Sequence, residues 1–232
     1  MVFPIGNQAG VRDFSIDKNE KYILVASGYT AVLWDFKTEK EINRYKFDHR
    51  LSCLDLSPDG RYFIVGGEDY NKIEIIEVLS GKCIKSIRAY SENSSIAYLK
   101  FISSSKILSS SSNYFSPSDE NALIKIWDFN TGKLVQKLSG HTSDIRKIDI
   151  SDDNKFLLSA DRVGYLILWD LTKNIKRKTF YHPERTAKNK ESGFTSVVLS
   201  SDLKYGFSYQ VNTKNLRMWN LDMGSFEEII LD

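Results

Sequence analysis

Five segments of the chain share one ending: a short apolar strand, then tryptophan or isoleucine, then an acid or an amide. They are AVLWDF (31–36), IEIIEV (73–78), LIKIWDF (123–129), LILWDL (166–171) and LRMWNL (216–221). The key residues Trp34, Ile76, Trp127, Trp169 and Trp219 lie 42, 51, 42 and 50 positions apart. Self-similarity at a period of roughly 20–50 residues is the mark of a repeat architecture, and it constrains the fold more than any single motif.

Other features keep step with this period. About twenty residues before each key position lies an alternating strand: VRDFSI (11–16), LSCLDL (51–56), IAYLKF (96–101), IRKIDI (145–150) and FTSVVL (194–199). Polar turns such as SPDG (57–60), SDDN (151–154) and SSDL (200–203) follow, then a second apolar strand. After the key residue come turns such as LSGK (79–82) and NTGK (130–133), then a fourth strand. Period-two alternation bounded by Gly, Asp, Ser and Asn marks strands and hairpins. Four-stranded units at this spacing are what a β-propeller blade requires. The expected fold class is therefore all-β, with no helical stretch.

Gly140-His141 followed by Trp169-Asp170 resembles the Gly-His…Trp-Asp signature of the WD-repeat β-propeller family. The resemblance covers about residues 2–231. It implies five four-stranded WD-type blades, about 11–49, 50–93, 94–140, 141–182 and 192–232, within a single domain spanning 1–232. Residues 2–5 read as an extra outer strand. Five units and one surplus strand lead to the expectation of an open or incomplete ring, its ends covered by another subunit or copy. A compact five-bladed ring is the alternative.

The resemblance also assigns the histidine. In the family a buried network joins a His, a Ser or Thr on the second strand, an Asp in the next turn and the Trp indole. His141, Ser159 and Trp169 fill three of these places. The acid is expected six residues before the Trp, where this chain has Val163, and the sequence leaves Asp161, two residues earlier, as an alternative. The implied role is to satisfy a buried indole and imidazole. Asp35, Asp128 and Asp170, which close the third strands, read as turn residues.

Several kinds of chemistry find no support. His49, His141 and His182 sit in three different connections, so no zinc set of three or four ligands can be gathered from them. SGKC and TGKL lack the upstream Gly and the Ser/Thr of a phosphate loop and read as hairpin turns. No catalytic residue, metal or cofactor is assigned. The two cysteines, Cys53 and Cys83, form no metal-type pair and suggest a reduced, cytoplasmic protein. The first residues lack the basic region and apolar run of a secretory signal, and no apolar run approaches the ~20 residues of a membrane span. A net charge of +2 gives no reason to expect nucleic acid as a partner.

Function is expected where the chain departs from its repeat. Two units exceed the period, through SSSNYFSPSDENA (110–122) and YHPERTAKNKESG (181–193). Long loops on a rigid scaffold often carry function. Tyr114 and Phe115 are the aromatic anchors of the first. Arg185, Lys188 and Lys190 lie in the second, within a stretch, 173–190, that holds seven Lys or Arg and one Glu. By resemblance, one propeller face commonly binds partners, and its rim beside the channel would carry Arg12, Ser52, Ala97, Arg146 and Thr195. The first reading is a non-enzymatic protein-interaction scaffold, a subunit of an intracellular assembly, bound through the loop-bearing face and the open blade edges. The alternative is a reader of acidic or phosphorylated peptides. An enzyme with a site at the channel mouth has the least support.

Overall fold

The computed structural model describes residues 10–92, 94–112, 122–181, 196–210 and 215–229, and the elements it shows are β-strands. They form five four-stranded antiparallel sheets, each built from strands consecutive in sequence. The first sheet holds β1 (Asp13–Ile16), β2 (Tyr22–Ser27), β3 (Thr30–Asp35) and β4 (Glu41–Lys46). The second holds β5 (Leu51–Leu56), β6 (Tyr62–Gly67), β7 (Tyr70–Glu77) and β8 (Cys83–Arg88). The third holds β9 (Ser95–Ser103), β10 (Lys106–Ser112), β11 (Ile124–Asp128) and β12 (Leu134–Leu138). The fourth holds β13 (Ile145–Ile150), β14 (Phe156–Asp161), β15 (Tyr165–Asp170) and β16 (Ile175–Tyr181). The fifth holds β17 (Ser196–Leu199), β18 (Tyr205–Gln210), β19 (Asn215–Asn220) and β20 (Phe226–Ile229). The first three sheets belong to one compact unit and the last two to a second. These are WD-type propeller blades. Residues 2–5 lie outside the described residues.

The turns explain why the strands stop where they do. Between the first two strands of the second, fourth and fifth sheets, a serine and an aspartate two residues later close the loop together. Ser57 donates to Asp59 (2.6 Å), Ser151 to Asp153 (2.7 Å) and Ser200 to Asp202 (2.6 Å). Each serine oxygen also accepts the N–H that opens the next strand, from Tyr62, Phe156 and Tyr205. Such local side-chain bonds compete with a continuing ladder and so end it. After the third strands, Asp35, Asp128 and Asp170 accept the N–H and hydroxyl of Thr38, Thr131 and Thr172. These bonds hold all three carboxyls below their ordinary range. The aspartates are turn residues, as their repetition suggests.

Within each unit the sheets meet through apolar faces. Leu24, Ala26, Ala31 and Leu33 of the first sheet pack on Leu54, Leu56, Phe63 and Val65 of the second. Ile64, Ile73 and Ile75 pack on Ile96, Leu99, Phe101 and Ile107 of the third. Leu158, Leu166 and Phe180 of the fourth sheet pack on Val197, Leu199 and Trp219 of the fifth. Contact is close: a Cβ on Gly66 would stand 2.5 Å from Cβ of Ile96, so that crossing of β6 and β9 requires glycine.

A polar device accompanies this packing. The fifth residue of a repeated segment such as VRDFSI (11–16) or LSCLDL (51–56) accepts a backbone N–H from the next sheet's first strand. Ser15 Oγ accepts from Leu56 N (3.1 Å), Asp55 from Phe101 N (2.7 Å) and Asp149 from Leu199 N (2.6 Å). Ser15 also donates to Asp55 (2.7 Å), and Asp13 accepts from Leu54 N (2.9 Å). The equivalent place in β9 is held by Lys100, which has no acceptor and instead donates back to Asp55 (3.2 Å). In β17 it is held by Val198. Along the fourth strands, Lys85 donates to the carbonyls of Phe129 and Asn130, and Lys178 to that of Asp222.

Burial raises the Asp55 carboxyl above its ordinary value, against the pull of Lys100, Ser15 and the Phe101 N–H. A group whose native pKa exceeds its unfolded one loses its stabilising contribution as pH rises through the native value. Asp55→Asn keeps an acceptor and removes the buried charge. Its stability relative to wild type should therefore be more favourable at about pH 7 than at about pH 4, read by urea unfolding at both. Asp55→Ala, which strands the Phe101 N–H, should cost about 1–3 kcal/mol.

Candidate protein-interaction site

The most polar cluster in the fourth sheet forms around β14. Trp169 Nε1 donates to Ser159 Oγ at 2.8 Å, and the same oxygen lies 2.6 Å from His141 Nε2. His141 Nδ1 lies 3.1 Å from Asp161 Oδ2. Asp161 therefore fills the place left by Val163. It also closes the β14–β15 turn by accepting the N–H groups of Val163 and Tyr165. With Nδ1–H donating to the carboxylate, Nε2 is left to accept the Ser159 hydroxyl.

Serine, histidine and aspartate in this order are the members of a hydrolytic triad, so access decides what they do. Ser159 and Asp161 are fully buried, and His141 is buried beside them. The serine oxygen is already engaged by the indole. A nucleophile with no surface for a substrate, its lone pair held by a tryptophan, serves the core.

The same device recurs where the sequence had not marked it. Trp127 Nε1 donates to Ser109 Oγ, and Trp219 Nε1 to Ser208 Oγ, both at 2.8 Å. In each case the serine stands two residues beyond the residue paired with the tryptophan: Ile107, Leu157 and Gly206. In the second sheet Phe63 pairs with Ile76, and the residue two beyond is Val65, so hydroxyl and indole are replaced together. In the third sheet Tyr90 takes the part of the histidine, its hydroxyl 3.1 Å from Ser109 Oγ. Buried Lys125 lies 4.2 Å from the Tyr90 ring centre and donates to Ala89 O at 2.8 Å. The signal for these sites is register: a hydroxyl at a fixed offset on the strand facing Trp127, Trp169 and Trp219, whereas Val25 holds that offset opposite Trp34. Trp34, Trp127, Trp169 and Trp219 are all buried, as expected.

Of the expected partner-binding residues, the structure describes four, Arg12, Ser52, Ala97 and Arg146; Ala97 lies in β9 and is partly buried. Arg12 lies just before β1, with Nη2 3.3 Å from Glu68 Oε1 in the β6–β7 turn. Arg50, which the sequence had not singled out, reaches the other oxygen of the same carboxylate at 3.2 Å. Both arginines and Glu68 are half-exposed. Ser52 in β5 donates to Ile96 O at 2.5 Å, a link between sheets. Arg146 in β13 is exposed and stands near Asp144, whose carboxyl is raised by burial against the pull of Arg146 and Arg162. Tyr114, Phe115, Arg185, Lys188, Lys190 and Thr195 lie outside the described residues. Among the described residues no group of three or more His, Cys, Asp or Glu could hold a metal ion, and no helix is long and apolar enough to cross a membrane.

The WD domain, G-beta repeat family matches residues 41–71 and 132–170. Together with the five four-stranded sheets, these two matches support a WD-repeat family with propeller-type blades. It is 26% identical over 181 residues to Cilia- and flagella-associated protein 57 C of Tetrahymena thermophila, covering 75% of this chain and 14% of that one. It is 24% identical over 151 residues to human Cilia- and flagella-associated protein 52, covering 65% and 23%. With Pre-mRNA-processing factor 19 of Oryza sativa subsp. japonica it is 24% identical over 212 residues, covering 89% and 38%. The chain thus spans well under half the length of these relatives.

Ser159→Ala should leave both the Trp169 indole N–H and His141 without their shared partner in the core. A loss of about 1–3 kcal/mol on urea unfolding is expected. Ser109→Ala should cost a similar amount through Trp127 and Tyr90. A change near zero in both would remove the network from the account of stability.

Proposed function

We propose that the chain is a non-enzymatic interaction scaffold, a subunit of a larger intracellular assembly whose partners are proteins. The observation that carries this reading is the burial of the Ser159–His141–Asp161 chain, which turns the fold's most reactive-looking groups into core. What the described surface offers in its place is charge at the starts of first strands. The proposed docking face bears Arg12, Ser52, Ala97, Arg146 and Thr195, with the segments 110–122 and 181–193 supplying Tyr114, Phe115, Arg185, Lys188 and Lys190.

A second docking region is proposed at the blade edges. Phe14 and Ile16 of β1 are 59% and 40% exposed, whereas their counterparts Leu54, Leu56, Leu99, Phe101, Val197 and Leu199 are all buried. In the fourth sheet Ile148 is buried and Ile150 partly buried, so β1 alone leaves both places in water, which suits a further blade-like surface. The relatives' names point to cilia and flagella on one side and to pre-mRNA processing on the other, and the proposal adopts neither setting. Unpaired Cys53 and Cys83 accord with a reduced, cytoplasmic location.

One observation favours a reader of acidic peptides as the second reading. Arg12 and Arg50 already converge on a carboxylate, that of Glu68, and a partner's acidic group could take its place.

Affinity purification of the full chain from native cells separates the two. A fixed stoichiometric complex, lost in Arg12→Glu/Arg146→Glu while circular dichroism stays unchanged, is the expected result for the scaffold. Many substoichiometric acidic or phosphorylated partners, released by phosphatase, would favour the reader. Partners retained in full by the double variant would count against this face.

A further inference from the structure

The fourth strands of the first three sheets share a feature that the fold does not demand. The pairing of β3 with β4 shifts register between Leu33 and Trp34, and that of β7 with β8 between Ile75 and Ile76. These β-bulges leave Ile42 and Ile84 as the unpaired residues. Val135 holds the same place in the sequence of the third unit. In all three the aliphatic residue follows a lysine by two positions: Lys40 and Ile42, Lys82 and Ile84, Lys133 and Val135.

The three aliphatics are 46%, 45% and 53% exposed, so they contribute little to the core. The fourth sheet has a bulge in the same place, between Leu168 and Trp169, and there the residue is Arg177. A charged side chain therefore serves the fold equally well at this point. Single exposed aliphatics are common on protein surfaces, but one at the same solvent-facing place in three consecutive blades is a pattern.

The charge beside them is equally regular. Lys40, Lys82 and Lys133 are exposed and make no ion pair among the described residues. The neighbouring acids are engaged, Glu41 with Arg44 at 2.7 Å and Glu77 with the Ser80 hydroxyl at 2.6 Å. Between β4 and the start of β8 the surface is concave. A groove of about 540 Å³ there is lined by Asn43, Arg44, Lys46, Asp48, Glu74 and Cys83 among others; Asp48 is engaged by His49 and Glu74 by the Tyr70 hydroxyl.

We propose that this row on the fourth strands of the first three blades binds an acidic, aliphatic-bearing segment of a partner protein. Its carboxylates would meet Lys40, Lys82 and Lys133, and its aliphatic side chains would cover Ile42, Ile84 and Val135. Exposed lysine–carboxylate pairs are individually weak, so the apolar contacts supply affinity and the lysines choose the sign of the partner. The surface is separate from the residues of the loop-bearing face and does not depend on that reading.

The test presents the full chain with two displayed libraries of short peptides. One is built from Asp, Glu, Ile, Leu and Val, the other from Lys and Arg with the same aliphatics. Only the acidic library should be enriched. A selected peptide should lose about tenfold or more in affinity against Ile42→Ser/Ile84→Ser/Val135→Ser and against Lys40→Glu/Lys82→Glu/Lys133→Glu. The single variant Ile84→Ser, folded by circular dichroism, guards against misfolding of the triples and should weaken binding measurably. Arg12→Glu/Arg146→Glu should leave the affinity unchanged, and heparin should not compete. No enrichment, equal enrichment of the basic library, affinity indifferent to the row variants, or displacement by heparin would each overturn the proposal.

Discussion

A four-stranded sheet with two apolar faces is not stable alone in water, and that constraint organises this protein. Each sheet must lay a face against a neighbour, and the backbone it carries inward must still find hydrogen-bond partners. The apolar requirement is met by Leu, Ile and Val at alternating places. The polar requirement is met by Ser15, Asp55 and Asp149, each taking up an N–H of the next sheet. The indoles bring a third requirement with them, since a large ring at the interface introduces an N–H that water cannot reach. Ser109, Ser159 and Ser208 answer it for Trp127, Trp169 and Trp219.

Much of this was legible in the sequence because the repeat multiplies a weak signal. One Trp-Asp pair says little, but five apolar strands at a common spacing, each preceded by an alternating strand and a polar turn, leave few architectures. The His141–Ser159–Trp169 chain was legible through resemblance, and Asp161 stood only as an alternative to the expected place of its acid. Asp161 sits two residues from the expected place because it closes its own turn while facing the imidazole, a compromise between local and distant bonds. The Tyr90–Ser109–Trp127 counterpart was illegible for a different reason. Tyrosine reaches the serine with a hydroxyl where histidine uses a ring nitrogen, so the chemistry is kept while the motif disappears.

The interaction residues were harder to read, again for physical reasons. The ion-pair partner of a surface side chain is decided by tertiary proximity, which a sequence repeat does not encode. Arg12 could be placed at the start of a first strand, but nothing in the sequence joined it to Glu68 or brought Arg50 to the same carboxylate. The long segments were legible only as departures from the period, which locates them without assigning them a chemistry.

The acceptors on the first strands also run in one direction. Ser15, Asp55 and Asp149 each belong to the earlier sheet, and Leu56, Phe101 and Leu199, whose N–H groups they accept, belong to the later one. A chain made from its N-terminus emerges from the ribosome in that order. Synthesis from the N-terminus therefore places each acceptor in the chain before the strand that will use it. Lys100 holds the corresponding place in the third sheet and offers a donor there instead of an acceptor.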